Sequence, residues 1–240
     1  MKHLLYLASL TALAATCGHA AEDSAPFKLT TGVFHLSGGG VPSGNAVDVN
    51  LRHTSELGNI WVGFYRAPVL DVSQARAGWD RTIALGPVRV MPSLQWATGG
   101  FWGGSIAVET GDSWFVGAGL GRTNLRPYAN LNFDPNDSWS LSGGYRWADN
   151  QALTLLLVRD NRENPDQQHL HLTYRMPIEG GQRLTLDLLT KRGLVDGEPI
   201  RRVGASVAYD WPRHFMRVAW DPKVNFTAQD MLRLSAGLRF

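Results

Sequence analysis

Leu232-Arg233-Leu234-Ser235-Ala236-Gly237-Leu238-Arg239-Phe240 ends the chain, and its strict alternation decides how everything before it is read. Successive side chains of an extended backbone point to opposite faces. Leu232, Leu234, Ala236, Leu238 and Phe240 therefore share one side, and Arg233, Ser235, Gly237 and Arg239 share the other. A helix would scatter both sets around its circumference. The same period of two recurs upstream. Val203, Ala205, Val207 and Tyr209 oppose Arg202, Gly204, Ser206 and Asp210; Leu184, Leu186 and Leu188 oppose Arg183, Thr185 and Asp187, with Leu189 out of step. Leu170, Leu172 and Tyr174 oppose His169, His171, Thr173 and Arg175; Trp139, Leu141 and Tyr145 oppose Ser138, Ser140, Ser142, Gly144 and Arg146.

Turn formers punctuate these segments: Thr98-Gly99-Gly100, Thr110-Gly111-Asp112, Ala148-Asp149-Asn150 and Asp196-Gly197-Glu198-Pro199 are the sharpest. No linker or charge block divides the chain. Alternation alone does not say which face is inside, because a soluble β-sandwich shows the same period with its apolar side inward. Here the polar face carries glycine, serine and mid-strand charge, while Trp and Tyr gather near segment ends, the placement of interfacial girdles on a membrane barrel. The aromatic that closes the amphipathic 232–240 segment resembles the C-terminal signal read by the outer-membrane assembly machinery of Gram-negative bacteria. That resemblance implies a Gram-negative outer-membrane β-barrel; beyond the last segment it rests on pattern.

Residues 1–20 read as a secretory signal peptide, with Lys2 in a basic start, an apolar stretch over 4–15 and small Gly18 and Ala20 before the cut. Cys17, the only cysteine, is then removed; Thr16 before it is a poor match to a lipoprotein site. The remaining 21–240 form one domain without thiols, which excludes disulfides and cysteine metal centres. The slightly negative mean hydropathy, −0.17, is what alternating strands produce in any sliding window.

The expected fold is all-β: a transmembrane up-and-down antiparallel barrel of about 14 strands, with 12 to 16 open. Counting back from Phe240 gives strands at 231–240, 214–221, 200–210, 182–191, 167–176, 152–160 and 138–147. Seven more follow at 126–133, 112–121, 101–109, 88–97, 75–85, 59–70 and 46–55. Residues 27–36 make an awkward fifteenth, because bacterial barrels have even counts. Either that segment pairs and neighbours such as 75–85 and 88–97 are miscounted, or it lies within the barrel. The connections at 222–230, 192–199 and 161–166 fall outside the cell and those at 148–150 and 211–213 in the periplasm. The outer loops are short, so no extracellular plug is expected.

The inward face of the second half is predominantly cationic. Arg146, Arg175, Arg183, Lys191, Arg202, Arg217, Arg233 and Arg239 face Asp160, Asp187, Asp210 and Asp221, with His169 and His171 on the same wall. Rings of basic side chains favour anionic solutes in a water-filled pore; the same side chains also fill and brace a narrow lumen as ion pairs. His169 and His171, two apart beside Asp187, have the spacing of metal ligands or a general base but no third ligand. His53 and Ser55 share an outward face, which resembles the nucleophile pair of outer-membrane lipid hydrolases, a base-activated serine attacking an acyl ester. In the fourteen-strand count that end is extracellular, and no carboxylate orients the histidine. Ser37-Gly38-Gly39-Gly40 lacks the lysine of a phosphate loop, and dispersed basic residues give no nucleic-acid surface.

Three functions stand: a diffusion channel for small polar or anionic solutes, an outer-leaflet lipid hydrolase built on His53 and Ser55, and a non-conducting structural or export barrel. A soluble β-sandwich is the alternative at the level of class. The expected surroundings are outer-membrane lipid and lipopolysaccharide, the barrel-assembly machinery and a small anionic solute, with no cofactor.

Overall fold

The computed structural model describes residues 25–40, 42–130 and 136–240; the expected signal peptide at 1–20 lies outside them. The strands are β1 (Phe27–Ser37), β2 (Gly44–Ser55), β3 (Gly58–Ala67), β4 (Val72–Asp80), β5 (Ile83–Leu85), β6 (Val88–Ala97), β7 (Phe101–Thr110) and β8 (Trp114–Thr123). They continue as β9 (Ser138–Arg146), β10 (Ala152–Asp160), β11 (Gln168–Ile178), β12 (Gln182–Val195), β13 (Glu198–Asp210), β14 (His214–Asp221) and β15 (Asp230–Arg239). Each pairs antiparallel with its sequence neighbour, and β1 pairs with β15 from Lys28↔Arg239 to Ser37↔Asp230, which joins the two ends of the sheet. β4 and β5 are one wall strand broken at Arg81 and Thr82: β4 pairs Asp80 with Ser93 of β6, and β5 pairs Ile83 with Val90 of the same strand. The wall is therefore a closed antiparallel barrel of 14 strands.

The fourteenth strand is not the one expected from the sequence. The segment at 27–36 is a full wall strand, β1, whereas residues 126–130 of the expected strand at 126–133 have no strand structure and 131–133 lie outside the described residues. Pro127 is the reason legible in the sequence: it lacks an amide hydrogen and is out of place in a strand paired on both sides. Leu125 adds a left-handed φ of 59° that turns the chain off the wall. Both 75–85 and 88–97 are genuine wall positions. The count holds at fourteen, but every strand between 46 and 121 runs in the opposite sense to the expected one.

The start of β1 and the end of β15 sit at one rim, called here the terminal rim. Phe27 and Phe240 exchange two backbone hydrogen bonds, each 3.0 Å, and their rings stack at 5.7 Å. The connections at that rim are tight, such as 86–87, 111–113 and 179–181, and the longer ones, 124–137, 161–167 and 222–229, lie at the far rim. The expected long loop at 192–199 shrinks to Asp196 and Gly197, because β12 and β13 pair up to Val195↔Glu198. Both turn residues have left-handed φ, 50° and 86°, as a two-residue hairpin turn requires.

The alternation places its apolar side outward. Val33, Val49, Val62, Ile106, Val116, Leu155, Leu188, Val203 and Leu234 are exposed on the outer surface, while Asp48, Arg76, Ser140, Lys191, Arg233 and Ser235 are buried inside. An aromatic chain runs round the outside near the terminal rim, with Trp114, Tyr145, Trp147 and Tyr174 at successive centroid distances of 4.8, 4.9 and 6.5 Å. Trp96 and Trp102, directly paired and exposed, mark the far rim. An outer belt of aliphatic side chains between two aromatic girdles suits a hydrocarbon slab and not water.

The far mouth is filled. Phe34, Leu36, Ala46, Tyr65, Ala67, Leu189, Ala219 and Met231 point inward and pack with Ala129 and Val224 from two connections that turn into the barrel. Leu189, out of step in its own strand, is fully buried in this cluster. The expectation of an unplugged mouth fails for a physical reason: connections too short to form an external domain are long enough to fold inward once they carry apolar side chains.

Candidate functional site: the charged lumen

Below the apolar cluster the inner wall becomes a ladder of charge. Asp48 and Arg76 form a buried ion pair on β2 and β4, and Arg76 also donates to the Ala129 carbonyl at 2.9 Å. Two strands from Asp48, on β15, Arg233 donates to Ser235 at 2.9 Å and its guanidinium lies 5.0 Å from the Phe34 ring. Arg217 donates to the Ser206 hydroxyl at 3.3 Å. Arg233 lies in the fields of Arg217, Arg76 and Asp48, so β2, β4, β14 and β15 converge on one layer. Asp187 is held by Thr173 at 2.7 Å and by His171 at 3.1 Å.

Nearer the terminal rim, Asp210 takes Arg239 and, at 3.5 Å, Arg183. Lys28 sits over the Phe215 ring at 4.3 Å, within electrostatic reach of Arg239, Arg52 and Arg183. On the opposite wall Glu109 binds Arg89 and, at 2.7 Å, Arg146; beside Lys28, Arg52 meets Asp80 at 3.5 Å. Arg175 is half-buried on the inner face, opposite Thr185. Glu109 and Asp210 are each shared between two arginines, so the wall keeps a positive balance.

Not every inward residue lines water. Lys191 and Asp221 form an ion pair with no solvent exposure, and Lys191 donates to the Lys223 carbonyl at 3.2 Å. His169 is 1 % exposed and stacks on Phe226 at 5.1 Å. The inward-turned 222–229 connection covers all three, which removes them from the expected water-lining set. Asp160 is buried at the far rim, where it accepts backbone hydrogens of Arg162, Glu163 and Asn164. Arg202 also faces inward but stands exposed at the far rim, donating to the carbonyl of Arg201. Among the described residues no cluster of three or more His, Cys, Asp or Glu has a metal-holding arrangement.

The hydrolase pair is corrected. His53 and Ser55 do face outward, but the inverted strand sense puts them at the terminal rim, where His53 pairs with Phe27 and its ring lies 4.7 Å from that phenylalanine. The Ser55 hydroxyl donates to the Gly58 carbonyl at 3.2 Å. The pair is thus packed against the start of β1 and a turn, at the rim opposite to the one the strand count gave it.

Sequence reasoning missed Lys28, Arg52, Arg76 and Arg89 and their carboxylates Asp48, Asp80 and Glu109. The signal was present: Ala46, Asp48, Asn50 and Arg52 alternate with Val47, Val49 and Leu51 as cleanly as any later segment.

Among solved structures, the outer membrane protein Omp33 of Acinetobacter baumannii aligns over 90% of this chain and 98% of its own, with TM-score 0.55 and 10% identity. The chain thus shares the fold of an outer-membrane β-barrel. A NanC porin structure aligns over 88% of this chain and 100% of its own, at TM-score 0.47 and 8% identity. No protein-family description matches the sequence, and no curated protein matches it.

Proposed function

We propose that the chain resides in the bacterial outer membrane with its far rim outward, and that it passes small anionic solutes by diffusion through a constricted lumen. The carrying observation is the layer in which Arg76, Arg217 and Arg233 converge below the apolar cluster. Cationic side chains on low-dielectric walls raise the local concentration of anions and lower their cost of entry. The orientation follows from loop length, since the longer connections of such barrels face outward. Export by the signal at 1–20, and capture of the Phe240-ended strand by the assembly machinery, complete the reading.

The test is a planar bilayer with a salt gradient. Purified protein gives discrete steps and a reversal potential of the anion-selective sign; replacing Arg217 and Arg233 with Ser moves that potential toward zero or beyond. Absence of steps, or cation selectivity in the native protein, overturns the proposal. One observation favours a second reading, a barrel that stays shut and serves the envelope as a structural or export component: the apolar cluster spans the far mouth. Silence in the bilayer is the result expected from it.

A further inference from the structure

The outer surface carries a second basic feature, separate from the lumen. Arg159 of β10, Gln168 of β11, Arg192 of β12 and Arg201 of β13 are direct register partners in sequence, Arg159↔Gln168, Gln168↔Arg192 and Arg192↔Arg201. They form one row across four strands, and all point outward. Directly opposed side chains stand about 5 Å apart at Cβ, so three guanidiniums fall within a patch the width of one lipid head. Like charges placed directly opposite in a sheet destabilise it, and Arg192 and Arg201 are such a pair. Arg192 donates to Gln168 at 3.0 Å and Arg159 to the Pro165 carbonyl at 3.0 Å, which holds both side chains extended across the surface.

The row lies at the upper border of the apolar belt. Leu157, Leu170 and Val203 lie two residues from it on the membrane side, on the same outward faces. Beyond the row, Leu194 and Pro199 line an open cleft of about 610 Å³ together with the three arginines and a single carboxylate, Asp166. A ligand that satisfies this surface needs negative charge at the height of the arginines and hydrocarbon below it.

We infer that the Arg159, Arg192 and Arg201 row binds the phosphate groups of an acylated outer-leaflet glycolipid, the phosphorylated anchor of lipopolysaccharide. Guanidinium forks match phosphate oxygens in bidentate geometry, and the neighbouring strand faces accept the acyl chains. The inference rests on the outward orientation of the far rim and is independent of whether the lumen conducts.

The test titrates the detergent-folded full barrel with lipid A and with dephosphorylated lipid A, read by native mass spectrometry. The native protein binds the phosphorylated form at least about tenfold more tightly, the weight expected of a few surface cations facing anionic lipid. R159Q/R192Q/R201Q removes that preference while the protein still shifts its gel mobility on boiling, and R192K/R201K, which keeps the charge but loses the bidentate fork, retains only part of it. If the triple variant does not fold, R192Q alone carries the test with a loss of preference of about threefold or more. Equal binding of the two lipids by the native protein overturns the inference, as does an undiminished preference in the glutamine variants. Displacement of lipid A by inorganic phosphate at equal concentration also overturns it, because it marks a free-anion site. A silent bilayer recording with intact lipid preference sinks the channel and leaves this site standing.

Discussion

K191M lowers the stability of the folded barrel by about 3–5 kcal/mol, the cost of leaving a buried charge without its counter-ion. Lys191 and Asp221 have no exposed side-chain surface, so water cannot replace the lost ammonium at Asp221. The damage extends to the 222–229 connection. Lys223, Asn225 and Phe226 all adopt left-handed φ, at 52°, 49° and 58°, a conformation costly for residues with side chains. It is held from below by the Lys191 bond to the Lys223 carbonyl and by the Phe226 stack on His169. Gly193 leaves room for that ring: a Cβ there would meet Phe226 at 2.6 Å. The measurement is guanidinium unfolding in detergent micelles followed by tryptophan fluorescence. K191M/D221L regains most of the loss, because a well-packed apolar pair replaces a buried ion pair at little net cost. Equal instability of the single and double variants would show that packing volume, and not charge, governs the site.

The second large effect is on conduction. Replacing residues 125–130 with glycine and serine at equal length raises single-channel conductance several-fold and weakens ion selectivity, while the barrel still folds. These residues are anchored inside at several points. Gln74 donates to the Pro127 carbonyl at 3.0 Å and accepts from the Ala129 amide at 2.8 Å, and Tyr128 stacks on Phe101 at 4.3 Å. The Asn225 side chain donates to the Asn130 carbonyl at 3.2 Å, linking the two inward-turned connections. Replacing Tyr128 takes a buried ring out of the lumen, and a glycine-rich backbone holds the position-129 carbonyl less firmly against Arg76. Unchanged conductance in single-channel recordings would mean that the limiting constriction lies elsewhere, and the role given to this segment would be abandoned.

The wall was almost fully legible because a strand with one face in lipid and one in the lumen has to alternate, and alternation survives in a single sequence. What failed was the assignment of two segments of similar appearance. Residues 27–36 carry apolar side chains on both faces, since Phe34 and Leu36 point into the cluster while Val33 points outward, so the period of two is blurred. Residues 126–133 alternate passably yet contain Pro127, and the proline was the better guide. That exchange kept the strand number and inverted the sense of the first half, which is why the second-half residues keep the strand sense read for them while His53 and Ser55 change rims. Burial of Lys191, Asp221 and His169 was beyond any periodicity argument, because it depends on a connection folding back over them. Pairings such as Asp48 with Arg76, 28 residues apart, depend on tertiary register alone.

The mutual backbone bonds of Phe27 and Phe240 make the barrel a ring in which the covalent break is only one seam among fourteen. A short peptide joining Phe240 to the start of β1, with new termini opened between Asp196 and Gly197, would preserve every ladder of the wall and relocate the free ends to the far rim. Such a rearranged chain would carry its aromatic-ended strand in mid-sequence, and its refolding in detergent would show that the wall closes without that strand as a tail.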